Sequence, residues 1–473
     1  MAGPTSATAR SLVAVVGFLA CVELASGVLQ GYYTPIFTDL ARHLDVEDAD
    51  VNWFEAAQLV VSALVVPPLA RLGDLIGHRR ILLLATAITA AGSWIMAFAP
   101  SFGTYLAGTA LQGAYVVWLP LEVAIIHRRT SGDTRQEALT RRAAAILVAV
   151  LELSVIVGAL TSGALVESLS MTTVLAIPAV VVTLCLLAIW IGVEGAPGTS
   201  GGGFDWPGLG LLTLLVGLVM GGLIAMRLDG PGSVLPWALI ALGLAALVPF
   251  WRLESDREAP LVDVRLLATA AQWPIQLTAF LFGISILGAQ IPLSTYLRSD
   301  PEVAGYGFGL SASATSGRIG MYVVSLMVGA LAYPAFARRA GVRVAMLVAT
   351  VLVALGYAGW IPFHDSRLLT VLVMVVAGVG SGAMVVALPS AAAAVSPVDR
   401  VGFATGMTNA AKTLGGAVAS AVFAICLAST GTIGDPAYGH AALSGYLAVW
   451  AICAGAALVG SLSLWLVRGE ARA

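Results

Sequence analysis

Long apolar runs alternate with short polar connections along this chain, and each run is about as long as a bilayer is thick. A helix needs about 20 mostly apolar residues to cross a membrane. Fourteen runs qualify: 11–37, 52–70, 81–100, 102–126, 142–166, 170–193, 206–226, 234–251, 271–297, 314–337, 343–362, 367–391, 402–428 and 441–467. They are continuous and rich in Leu, Ala, Val and Gly, whereas a barrel shows alternating segments of about ten residues. The pattern predicts an all-α polytopic membrane protein with 14 transmembrane helices.

Composition agrees. The 473 residues are 59% hydrophobic and 11% charged, with a mean hydropathy of +0.93. Soluble domains carry about 25% charged residues. A net charge of −2 gives no case for nucleic acid. No His-Glu-x-x-His zinc motif, Gly-x-Ser-x-Gly elbow or phosphate loop occurs, and the connections are too short for a soluble catalytic domain. An enzyme is therefore not expected, nor is a metal or cofactor. Cys21, Cys185, Cys426 and Cys453 sit in apolar runs at no metal-ligand spacing and read as reduced core thiols. The first run is longer than the 7–15-residue apolar region of a signal peptide and reads as a first transmembrane helix.

An even number of passes puts both ends on one side, and arginine placement says which. Eighteen arginines fall in connections on the side of the ends, from Arg10 through Arg71, Arg128, Arg135 and Arg338 to Arg468 and Arg472. Only Arg42, Arg227, Arg298 and Arg367 fall opposite. This predicts cytoplasmic termini in the plasma membrane. Two connections stand out: the Gly-rich Glu194–Pro207 and the charged Arg252–Arg265. They divide the chain into a six-helix bundle at 1–194, a linker and two-helix insert at 195–252, and an interfacial linker with a second six-helix bundle at 253–473.

The connection after the second run is Ala70-Arg71-Leu72-Gly73-Asp74-Leu75-Ile76-Gly77-His78-Arg79-Arg80. Its counterpart in the second bundle contains Arg338, Arg339, Gly341 and Arg343, with Gly341 and Arg343 matching Gly77 and Arg79. The first copy is similar to the loop motif G-x-L-a-D-r-x-G-r-r of the major facilitator superfamily, and the whole chain resembles its fourteen-helix drug:proton antiporters. Further matches are Phe204-Asp205-Trp206-Pro207-Gly208 at the insert, Gln112-Gly113 in the fourth run, and Asn409 to Gly416 in the thirteenth. The fifth-run antiporter pattern is eroded to Gly158-Ala159-Leu160-Thr161-Ser162-Gly163, without proline. The resemblance implies alternating access, with Arg71, Gly73, Asp74, Gly77, Arg79 and Arg80 as a cytoplasmic gate latch.

Charges inside the runs are the candidate chemistry, because each costs about 2.5–3.5 kcal/mol at mid-helix on insertion scales. Glu23 shares a narrow helical stripe with Gln30 and Thr34, flanked by Ser26 and Gly27. Glu152 lies on the small-residue face that continues to Ala159 and Gly163. Lys412, the only lysine, is expected to face Glu23 or Glu152. Glu122 follows Pro120, and either helps line a path or pairs with a loop arginine such as Arg128. Glu55, near a helix end, reads as solvated. Proton coupling is thus assigned to Glu23, Glu152, Lys412 and Glu122. The candidate substrate cavity comprises Gln30, Gln58, Gln112, Tyr115, Trp118, Phe282, Gln290 and Asn409. The expected partners are a small-molecule substrate, protons and membrane lipid, with the protein a monomer. The expected function is proton-coupled efflux of hydrophobic or amphipathic, drug-like molecules. A lipid or glycolipid exporter, a proton symporter of the same fold, and a non-transporting membrane sensor are the alternatives.

Overall fold

A bilayer offers no hydrogen bonds to the backbone, so each crossing must satisfy its own amides as a helix. The protein's structure, a computed structural model, follows that rule and describes residues 12–130, 136–195, 205–257, 260–397, 400–428 and 441–465. Arg10, Arg135, Arg468, Arg472 and most of the Gly-rich connection lie outside the described residues. So do the side chains of Ala70 and Asp74.

Fourteen described helices are long and apolar enough to cross a membrane. The first bundle contains α1 (Leu12–Gly31 and Phe37–Leu44), α2 (Asn52–Ile76), α3 (His78–Ala97), α4 (Phe102–Gln112 and Trp118–Arg129), α5 (Gln136–Leu165) and α6 (Met171–Gly192). The insert is α7 (Trp206–Asp229) and α8 (Val234–Ala245 and Leu247–Asp256). The second bundle contains α9 (Trp273–Ile286 and Gln290–Arg298), α10 (Ala312–Ala340), α11 (Val342–Phe363), α12 (Arg367–Ala394), α13 (Val401–Cys426) and α14 (Leu443–Trp465). No strand occurs among the described residues. The side on which α1 begins and α14 ends is the terminal face; the other is the distal face.

Each bundle has its own apolar core. Large apolar side chains such as Leu153, Leu184, Leu331 and Leu462 point outward, as lipid requires. Cys21 is also on the exterior rather than in the core. Apolar burial drives little association between helices in lipid, so close backbone packing must hold them. Glycines supply it in the same places twice. A Cβ on Gly27 would stand 2.3 Å from the Leu151 carbonyl oxygen, where α1 crosses α5. One on Gly283 would stand 1.9 Å from the Lys412 carbonyl oxygen, where α9 crosses α13. Gly92 between α3 and α4 has its counterpart in Gly356 between α11 and α12.

The hairpins repeat as well. Gly77 has φ 107° and donates its N–H to the Gly73 carbonyl at 2.9 Å. Gly341 has φ 87° and bonds to Ala337 at 2.9 Å. Such positive φ values favour glycine. Two residues on, Arg79 donates to the carbonyls of Trp190 and Val193 at the end of α6. Arg343 donates to the Trp465 carbonyl at the end of α14 and stacks on that ring. A guanidinium thus caps the last helix of each bundle, where carbonyls lack helical donors.

The insert is tied to both bundles. Leu215, Val216, Met220 and Leu223 of α7 lie against Trp53 and Ala56 of α2 and Ala421 and Ala424 of α13. Arg227 at its distal end pairs with Glu47 and Asp50, each at 3.2 Å. At the terminal face Asp205 caps α7 through the Gly208 N–H at 3.0 Å, and Glu254 accepts the Val262 N–H at 2.8 Å.

Helix contact at Gly27 is expected to tolerate no side chain. Overpacking costs about 1–3 kcal/mol, so Gly27→Val should lower the melting temperature of the purified protein by several degrees. Gly17→Val, which meets nothing within 4 Å, should leave it unchanged in the same thermal scan.

Candidate functional site

Four of the crossing helices are interrupted, and the breaks in three of them, α1, α4 and α9, converge. In α1 a 3-10 turn at Thr34–Ile36, with Pro35, separates two helical pieces. In α4 a 3-10 stretch at Gly113–Val117 does the same. In α9 the helix stops at Ile286 and resumes at Gln290. Irregular backbone at membrane depth belongs where it lines a cavity or is buried in protein. Here Tyr33, Thr34, Gln112, Tyr115, Leu287 and Gln290, at or beside the breaks, line one cavity with about 640 Å³ of empty space including its open side. Gln30, Glu55 and Gln58 complete its polar wall.

That wall is already ordered. Gln58 donates to Gln112 at 3.2 Å, and Gln112 donates to Tyr33 at 3.1 Å and Ser93 at 3.0 Å. Gln30 donates to Ser26 at 3.2 Å. Thr34 donates to Gln290 at 3.4 Å, which joins the first bundle to the second.

Five of the eight residues expected to line a cavity are therefore together: Gln30, Gln58, Gln112, Tyr115 and Gln290. Three are elsewhere. Trp118 is fully buried and meets Tyr115 edge-on at 5.8 Å, as part of the first core. Phe282 faces a small gap beside α11 and α14. Asn409 is half-buried on α13, outside the lining. Glu55 corrects the sequence reading in the other direction. It is a cavity residue rather than a solvated one, with the Ser420 hydroxyl of α13 beside it.

The membrane charges fall into two groups. Glu23 of α1 and Glu122 of α4 are fully buried and lie close to each other. A hydrogen bond between two carboxyls would need a proton on one of them. Glu122 thus pairs with an acid on another helix, and not with the loop arginine that is its sequence neighbour. Glu152 of α5 and Lys412 of α13 face each other within electrostatic range, without closing an ion pair. Tyr115, which lines the cavity, lies within electrostatic range of both Glu23 and Glu55.

The distal end is sealed by contacts between the bundles. Arg298 holds Asp39 through two bonds of 2.6 and 2.8 Å and donates to the Pro35 carbonyl at 3.0 Å. Ser294 donates to the Thr34 carbonyl at 2.5 Å. Ser313 and Ser316 of α10 donate to the carbonyls of Gly163 and Ala159 at 3.1 and 2.8 Å. The eroded fifth-run pattern is thus a packing surface for α10. Beside this seal, burial pushes the Asp48 carboxyl up to about 6 against the pull of Arg42 and Arg298.

At the terminal face Gly73 lies against Leu121 and His78, too close for a Cβ at 2.9 Å from the Leu121 side chain. Arg79 caps α6 as described. Arg80 is exposed, and Arg71 is half-buried.

Two bundles, a repeated hairpin and a cavity at helix breaks are the pattern of a carrier. The Major Facilitator Superfamily family model matches residues 19–420. The chain belongs to that superfamily. It is a multi-pass membrane transporter of small molecules rather than an enzyme. It is 25% identical over 422 residues to the uridine/deoxyuridine transporter of Lactococcus lactis subsp. cremoris, covering 86% of this chain and 85% of that protein. It is 29% identical to the cephamycin export protein of Amycolatopsis lactamdurans, covering 92% and 88%. Among solved structures it is similar to the nucleoside transporter NupG, with a TM-score of 0.67 at 16% identity over 96% of this chain and 99% of that one.

The Arg298–Asp39 pair is partly shielded, with 8% and 20% side-chain exposure. Bonds to a charged group contribute about 1.5–3 kcal/mol, or roughly tenfold or more in the population of an open state. Arg298→Gln should therefore raise the maleimide labelling of a Gln290→Cys reporter from the distal face by about that factor, in a background without the native cysteines. An unchanged rate would show that other contacts hold the seal.

Proposed function

We propose that this transporter is a proton-driven exporter of amphipathic small molecules, working by alternating access. The observation that carries the reading is the buried Glu23–Glu122 contact. Two carboxyls sharing a proton inside a membrane protein form a site that can load and release protons as its surroundings change. Glu152 and Lys412, one on each bundle, are the second charge group. They separate or close as the bundles rock, which links protonation to conformation. The latch at Arg71, Gly73, Asp74, Gly77, Arg79 and Arg80 holds the terminal face when the distal face opens. In this reading the termini are cytoplasmic, the membrane is the plasma membrane, and the monomer is the working unit. The three-part division at 1–194, 195–252 and 253–473 goes with it. Similarity to a cephamycin export protein supports the export direction.

The amide-rich cavity and the similarity to a uridine/deoxyuridine transporter favour a second reading, a carrier of nucleoside-like molecules. Counterflow of labelled uridine into proteoliposomes separates the two.

Purified protein in proteoliposomes, under an imposed pH gradient, should drive ethidium uphill. Glu23→Gln and Glu122→Gln should each abolish uphill movement, a loss of about 100-fold if a positioned proton transfer is removed, while downhill exchange persists. Uphill transport at the wild-type rate in both variants would sink the carboxyl mechanism.

A further inference from the structure

Glu55 is the only carboxyl, and the only acidic or basic residue, among the described residues lining the cavity. One of its oxygens is buried and has no hydrogen-bond partner. A carboxyl held in that way takes either a proton or a cation, because an unpaired charge away from water is costly. Glu23 and Glu122, to which the proposed function assigns the proton, lie outside the cavity lining. Around Glu55 the wall offers carboxamides from Gln30, Gln58, Gln112 and Gln290, all suited to amide and hydroxyl groups of a ligand.

We infer that Glu55 is the specificity-determining carboxylate of the cavity, and that the cargo it selects carries a protonated amine beside amide or hydroxyl groups. This rests on the cavity being the cargo site and deepens the export reading. It also gives the amine a mechanical consequence. Glu55 lies on α2 and its neighbour Ser420 on α13, across the seam that the bundles share. An amine that draws the carboxylate into the cavity takes it away from Ser420 and loosens that seam when cargo is aboard.

The test is equilibrium binding to the full-length purified protein with two probes, puromycin and N-acetylpuromycin. They share one scaffold and differ in the charged amine. No gradient is applied, so loss of proton coupling or export direction leaves the result untouched. Wild type should favour puromycin by about tenfold or more, the scale of a shielded charge pair. Glu55→Gln should bind both probes alike, at the wild-type affinity for N-acetylpuromycin. Glu55→Asp keeps the charge and should keep most of the preference, which guards against misfolding of the amide variant. Gln58→Leu should weaken both probes together. Equal binding of the two probes by wild type, no binding of either, or a preference that survives in Glu55→Gln would overturn the assignment.

Discussion

A backbone group freed inside a bilayer has no water to bond with, and that constraint decides where this protein can depart from a plain helix bundle. Helices α1, α4 and α9 are broken, and the freed groups have uses. The Thr34 carbonyl takes the Ser294 hydroxyl, and the Pro35 carbonyl takes Arg298. These bonds knit the two bundles at the distal face. The same breaks widen the space that becomes the cavity, so the seal and the site are two results of one departure from helical geometry. Because α1 and α9 are repeat partners, the cavity sits where the two copies meet.

Charge placement follows a related logic. A lone charge in the membrane is costly, and each charged group here has a different remedy. Glu23 and Glu122, both fully buried, lie close enough to influence each other. Glu152 and Lys412 face each other across the gap between bundles, short of contact. Arg298 and Asp39 do close, with bidentate geometry, at the end that is sealed. The open pair and the closed pair thus stand at different depths of one interface. A rocking motion that opens the distal face changes both at once.

The fourteen crossings were legible because apolar run length is a direct physical demand of the bilayer. The hairpin glycines were legible too, since Gly77 and Gly341 repeat in a charged turn and both adopt positive φ. Helix breaks were less so. Pro35 marks the one in α1, but nothing in Gly113–Val117 or around Gly288 forbids a helix, and tertiary contacts decide there. The neighbour of Glu122 is hidden for a related reason. Arg128 is near along the chain, whereas Glu23 is near only after α1 packs beside α4. Trp118 and Phe282 share their chemistry with cavity residues, yet the rotation of their helices puts them in the cores.

The insert makes the two seams between the bundles unequal. In the fold, α7 lies along the seam where α2 meets α13, and Arg227 fastens its distal end to the loop before α2. That cover lies on the Trp53 and Ala56 face of α2, while the other seam, between α5 and α10, is bridged by serine-to-carbonyl bonds and by the Ser313 N–H bonded to Glu167. The two seams therefore differ in what must move when the bundles separate. Opening between α5 and α10 breaks bonds that water can replace at the surface. Opening between α2 and α13 also works against a helix anchored at its distal end by Arg227 on Glu47 and Asp50.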